Sequence, residues 1–190
     1  MGNLKRARLW GGIGAISSVF GLYFLGFVLK LFAVKDISEA TGEEEIFKKY
    51  IWSAISGLLS GLLLSWAFYE MLNYARDYLH SHPGTGYEEA FMEAAKAYNH
   101  WFVLATVLLI LAAWFMKMSY DIIARTTGVG TFKTAATLYL IGAVLLLVNL
   151  GFIIIAVGAI FEILAYFALP DELPGANNLI NPVKAKDGGT

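Results

Sequence analysis

Cysteine is absent from this 190-residue chain, and so is glutamine. Without thiols there is no disulfide, no thiolate-bound metal, no iron–sulfur cluster and no cysteine nucleophile. The lack of glutamine, a thermolabile residue, points to a thermophilic source. Charge is scarce as well: Asp, Glu, Lys and Arg make up 15% of residues, against about 25% in an average soluble domain. The charges nearly cancel, 14 Lys+Arg against 15 Asp+Glu, so the basic surface that binds nucleic acid is missing. What remains is apolar: 58% of residues, with a mean hydropathy of +0.62. Such a chain is neither disordered nor an ordinary cytosolic enzyme. It reads as an all-α, polytopic membrane helical bundle of one domain, residues 1–169, with the lipid bilayer as its first partner.

Hydropathy divides that domain into about five transmembrane helices. The first apolar run, 9–34, follows a basic head of Lys5, Arg6 and Arg8 and is broken only by Lys30. A secretory signal has an apolar region of about 7–15 residues, so this longer run reads as a retained span, with a pilin-type leader as the lesser option. The second span is 50–69 and the third 101–117. The apolar stretch from Phe132 to Leu169 would be about 57 Å long as one helix, nearly twice the hydrocarbon thickness, so it must fold back. Asn149-Leu150-Gly151 is the break, giving spans at 132–148 and 151–169, and Pro170 ends the last. Residues 170–190, rich in Pro, Gly and Asn, form an irregular tail.

No breaker follows the second span, and Met71, Tyr74 and Tyr78 keep a helical pattern. His82-Pro83-Gly84-Thr85-Gly86 is a turn, and Thr85 to Glu88 has the form of a capping box. The next helix runs to Arg125 and stops at Gly128. Residues 70–100 are therefore expected to form a helical hairpin protruding between spans two and three. With five spans, Lys and Arg leave the orientation open: the total favours the basic head outside, whereas the head itself favours inside.

The stretch from Ser119, SYDIIARTTGVGTFKTAATLYLIGAVLLLVNLGFIIIAVGAIFEILAYFAL, is the most distinctive. With the opening LKRARLWGGIGAI and the mid-chain EEEIFKKYI, it resembles a family of small archaeal membrane proteins known as domain of unknown function 996. The resemblance spans residues 4–169 and implies an archaeal polytopic membrane protein, with no activity attached. The extended hairpin around 74–98 departs from the family pattern.

Glu162 is the sharpest candidate site, a carboxylate inside an apolar span and on one face with Gly158 and Ala165. Small residues mark helix contact, so Glu162 should face protein, either as a structural hydrogen-bonding group or as an ion or proton ligand. Lys30 either snorkels to the interface or pairs with Glu162. Ser53, Gly57, Gly61 and Ser65 recur every four residues as a helix-packing stripe, with Gly158 as a further contact, within the chain or in a homo-oligomer. His80, His82 and His100 lack metal-site spacing, and no Walker, dinucleotide or G-x-S-x-G motif occurs. Asp121 and Arg125 form an i,i+4 pair, and Trp10, Trp52, Trp101 and Trp114 fall near span ends.

No catalytic, cofactor or metal constellation is expected. The leading expectation is a multi-pass cell-membrane protein acting as a non-enzymatic scaffold or accessory subunit of a membrane assembly, with the 70–100 hairpin as its docking handle. The alternative is a small ion or solute transporter or channel with Glu162 in the pathway. A water-filled cavity at Glu162 would favour the second, and sealed helix contacts the first.

Overall fold

The computed structural model describes residues 4–148 and 150–173. These residues form an all-α bundle of six α-helices: α1 (Leu4–Val19), α2 (Tyr23–Thr41), α3 (Glu44–Ser81), α4 (Tyr87–Thr127), α5 (Thr131–Leu145) and α6 (Gly151–Phe167), with a 3-10 turn at Leu146–Val148. Helices α3, α4 and Thr131–Val148 are long and apolar enough to cross a membrane, and α6 is apolar but shorter. Successive helices pack side by side, and α6 returns to α1, so the six close into a ring.

The stretch 9–34 is not one helix. It breaks at Phe20–Leu22 into a hairpin of α1 and α2. The Leu22 N–H donates to the Ser17 carbonyl at 2.9 Å, and Gly21 takes φ +85°, a left-handed stop open to glycine. The two arms then touch backbone to backbone: a Cβ on Gly14 would lie 2.9 Å from the Gly26 carbonyl oxygen, and one on Gly26 2.5 Å from that of Gly14. Hydropathy missed the break because every residue of the turn is apolar or glycine. The segment between the first two expected spans is also helical: α2 runs to Thr41 and ends on Gly42 at φ +73°.

This changes the parity of the bundle. With six helices of alternating direction, the starts of α1, α3 and α5 share one end with the finishes of α2, α4 and α6. The main core lies there, built from residues such as Val34, Ile37, Ile46, Ile123, Phe132 and Leu169. The charges cluster there too. Arg6 donates to both oxygens of the buried Asp36. Arg8 reaches Asp171 at 2.8 Å, and Glu45 pairs with Lys49 at 3.0 Å.

Helices α3 and α4, of 38 and 41 residues, are about 57 and 62 Å long. They zip together with a seven-residue repeat. Ser119 donates to the Ile46 carbonyl at 2.8 Å, Ser53 to that of Ala112 at 2.7 Å, and Ser60 to that of Ala105 at 2.7 Å. Each step of seven along α3 meets a step of seven back along α4, the spacing that keeps one seam facing a partner. Small residues let the backbones approach closely enough for these bonds.

The stripe expected at every fourth residue follows this seam only in part. Ser53 is buried in it, and a Cβ on Gly57 would lie 3.7 Å from that of Ala112. Gly61 and Ser65 are exposed, with nothing within 4 Å of a Gly61 Cβ, and the Ser65 hydroxyl bonds back to the Gly61 carbonyl. A four-residue step overshoots a 3.6-residue turn by about 40°, so the stripe winds off the contact face. Gly158, by contrast, packs on α5, where its Cβ would meet that of Leu138 at 3.3 Å.

Both helices run without a break through the hairpin region, where Ala75, Ala90 and Ala94 form a small second core. The expected capping box is absent: Gly86 is the N-cap of α4 and no side chain caps it. The Thr85 N–H instead closes the tight turn onto the His82 carbonyl at 3.1 Å. Gly128 ends α4 at φ +76°, with its N–H on the Ala124 carbonyl. The 132–169 stretch folds back after Val148. Asn149, and residues 174–190 of the expected tail, lie outside the described residues.

Candidate functional site

Glu162 sits on α6, about one turn beyond Gly158 on the buried face that packs on α5, and its side chain is 1% exposed. A carboxylate withdrawn this far from water needs several donors. It receives them from three other helices. The Tyr120 hydroxyl of α4 donates to Oε1 at 2.5 Å, and the Tyr139 hydroxyl of α5 to Oε2 at 2.8 Å. Lys30 of α2 straddles the group, its Nζ 3.3 Å from both oxygens. The Tyr120 bond has the length of a charge-assisted O–H···O⁻ bond, and the longer ammonium contacts add charge balance more than directed bonding.

A wall of rings surrounds this centre. Tyr166, one turn along α6 from Glu162, meets the Tyr120 hydroxyl at 3.1 Å. Tyr50 of α3 stacks on Tyr120 with centroids 6.1 Å apart. Phe132 of α5 stands edge-on to both Tyr120 and Tyr166 at 5.1 Å. Helix α1 supplies no polar group here; it supplies room. Gly11 faces the Tyr166 ring, and Gly14 lies beside the Lys30 stem, where a Cβ would meet Cγ at 2.9 Å. All six helices therefore meet around one carboxylate. The arrangement can hold a negative charge in place and fix the relative positions of α2, α4, α5 and α6.

Of the residues singled out from sequence, the structure brings Lys30 and Glu162 together and leaves the Ser53–Gly57 stripe and Gly158 at separate helix contacts. The tyrosines were not foreseen. The only signal was the i,i+4 spacing of Glu162 and Tyr166, since Tyr50, Tyr120 and Tyr139 look like ordinary aromatics in or beside apolar runs. Asp121 pairs with Lys117 at 2.6 Å, not with Arg125. Four residues separate it from either, but the Lys117 side lies toward the helix interior and Arg125 is exposed on the last turn. His80, His82 and His100 are exposed; the ring nitrogens of the first two lie against the Arg76 and Tyr78 carbonyls. Trp66 and Trp101 pack edge-to-face at 5.0 Å, marking a level on α3 and α4 far from the carboxylate.

Residues 22–160 match the family model described as "Protein of unknown function (DUF996)". The chain is also 32% identical over 184 residues to the uncharacterized protein MJ1644 of the archaeon Methanocaldococcus jannaschii, covering 92% of this chain and 97% of that one. No solved structure matches.

Proposed function

We propose, from the geometry of this member of the DUF996 family, described as of unknown function, that the chain is an integral membrane protein serving as a non-enzymatic scaffold or accessory subunit of a membrane assembly. The membrane placement is supported by three helices of sufficient length and apolarity. The observation that carries the role is the saturation of Glu162. Its oxygens are engaged by Tyr120, Tyr139 and Lys30, all from the same chain, and the residue is 1% exposed. A carboxylate that binds and releases a passing ion needs an open approach and a vacant coordination position. This one is closed by rings and by its own counter-charge. Two hollows of the surface lie away from it, one on the α3–α4 hairpin beside Arg76 and Tyr87 and one on the outer side of α1 and α2 beside Trp10 and Lys35. On this reading the Lys30–Glu162 centre is a latch, and the protruding hairpin is the part that meets other polypeptides.

Reconstitution in sealed vesicles tests the role. Proton and alkali-cation leak should equal that of empty vesicles for the parent and for Glu162→Gln. A flux above background that Glu162→Gln abolishes would move the protein to the transport class. In native membranes, a photo-crosslinker at the exposed Tyr87 should yield a discrete adduct with a second polypeptide; its absence would remove the support for a docking role of the hairpin.

A further inference from the structure

The α1–α2 and α3–α4 hairpins rise from the common charged end to different heights. At 1.5 Å per residue, α3 carries the chain about 30 Å from Lys49 to Tyr69, the end of its apolar run, and continues unbroken to Ser81. From the Arg6–Asp36 ion pair to the turn at Phe20–Leu22, the α1–α2 hairpin rises only about 20 Å. A hydrocarbon core is about 30 Å thick. The apolar run of α3 covers that thickness and the helix continues beyond it, whereas α1–α2 stops about a third short.

The α1–α2 turn is unsuited to bulk water. Phe20 and Phe24 are 80% and 77% exposed, and Val19, Leu22 and Leu25 are exposed beside them. The α3–α4 turn, His82-Pro83-Gly84-Thr85-Gly86, shows what this chain builds where a turn is wet. The same apolar turn is also unsuited to dry hydrocarbon. The N–H groups of Phe20, Gly21 and Leu22 close onto α1 carbonyls, but the first N–H groups of a helix have no acceptor within it, and Leu22 at the N-cap of α2 offers no side-chain oxygen. Lipid tails cannot satisfy those donors.

We infer that the α1–α2 hairpin turns back inside the bilayer and that the opposite headgroup layer dips inward to meet it. The α2 donors are then satisfied by water and headgroup oxygens, while Phe20, Leu22 and Phe24 lie among the acyl chains. The partner of this surface is the polar lipid of the opposite leaflet, and the membrane is thinner on the α1–α2 side than around α3–α4. This rests on the membrane placement proposed above.

Because the chain has no cysteine, single-cysteine variants test the inference directly. Leu22→Cys, Thr85→Cys and Leu62→Cys, the last on the exposed side of α3, are reconstituted in vesicles of increasing acyl length. A membrane-impermeant maleimide is applied from each face in turn. Thr85→Cys should react freely in every lipid and Leu62→Cys in none. Leu22→Cys should react from the same face as Thr85→Cys, about tenfold more slowly, and more slowly still as the lipid lengthens. Three results would overturn the dip: Leu22→Cys as fast as Thr85→Cys throughout, reaction from the charged face, or no reaction even in the shortest lipid, as when dry tails or another polypeptide cover the turn. Reaction of Leu62→Cys would instead overturn the membrane placement itself.

Discussion

Gly11 of α1 lies flat against the ring of Tyr166, so close that a Cβ at position 11 would fall 2.0 Å from Cδ1. Tyr166 has no room to yield, being fully buried, bonded to Tyr120 and braced by Phe132. Gly11→Ala should therefore destabilise the protein by about 1–3 kcal/mol through overpacking. Gly61 has nothing within 4 Å, so Gly61→Ala should be neutral or raise stability by up to about 1 kcal/mol by stiffening the helix. Thermal melts in detergent check the pair; equal melting of both variants would contradict the contact.

The Lys30–Glu162 latch predicts non-additive losses. Glu162→Gln leaves the ammonium without its counter-charge and should cost about 3 kcal/mol, as removal of one partner from a buried pair does. Lys30→Met should also destabilise, since two tyrosine hydroxyls then hold the charged carboxylate alone. The double variant should recover part of the sum. A double-mutant cycle on thermal stability reads the coupling, and strict additivity would show the two groups to be independent.

The α3–α4 seam predicts a pattern along the sequence. Ser53→Ala, Ser60→Ala and Ser119→Ala each remove one inter-helix hydrogen bond and should each cost about 0.5–1.5 kcal/mol. Ser65→Ala, whose hydroxyl bonds only within its own helix, should be silent. Loss of stability on Ser65→Ala alone would place the seam on the wrong face.

Six helices make the charge asymmetry readable. Lys5, Arg6, Arg8, Lys35, Lys48, Lys49, Lys117, Arg125 and Lys133 all fall at the common end, against Arg76 and Lys96 on the hairpin. An excess of Lys and Arg marks the cytoplasmic side, so the common end should be cytoplasmic and His82–Gly86 on the far side. Protease accessibility of a cleavage site inserted at Gly84, in intact cells against inverted vesicles, decides the orientation.

Glu162 was legible because a carboxylate inside an apolar run has few explanations. Its donors were not, because Tyr120 and Tyr139 gain meaning only when α4 and α5 are placed around α6. The long α3–α4 hairpin was visible in its polar turn and its unbroken helical pattern. The α1–α2 turn was hidden because hydropathy records breaks in polarity, and Gly21 breaks the helix with no change in polarity. The stripe at Ser53 and Gly57 was recognisable as small-residue packing. Its continuation to Gly61 and Ser65 was lost because helical drift outruns a four-residue step, which a seven-residue period corrects.

The bond between Lys30 and Glu162 spans 132 positions, and that distance is also a delay. Ribosomes deliver α2 well before α6, at about 5–20 residues per second, so the lysine waits several seconds without its acceptor. Until α6 emerges, Lys30, Tyr120 and Tyr139 lack the carboxylate that they bond in the finished bundle. The arrival of α6 supplies the group that joins α2, α4 and α5. Chains interrupted before residue 151 should stay loosely packed and be degraded early, which pulse-chase of truncated transcripts measures. The commitment point of biogenesis should therefore fall late, set by which helix carries the acid.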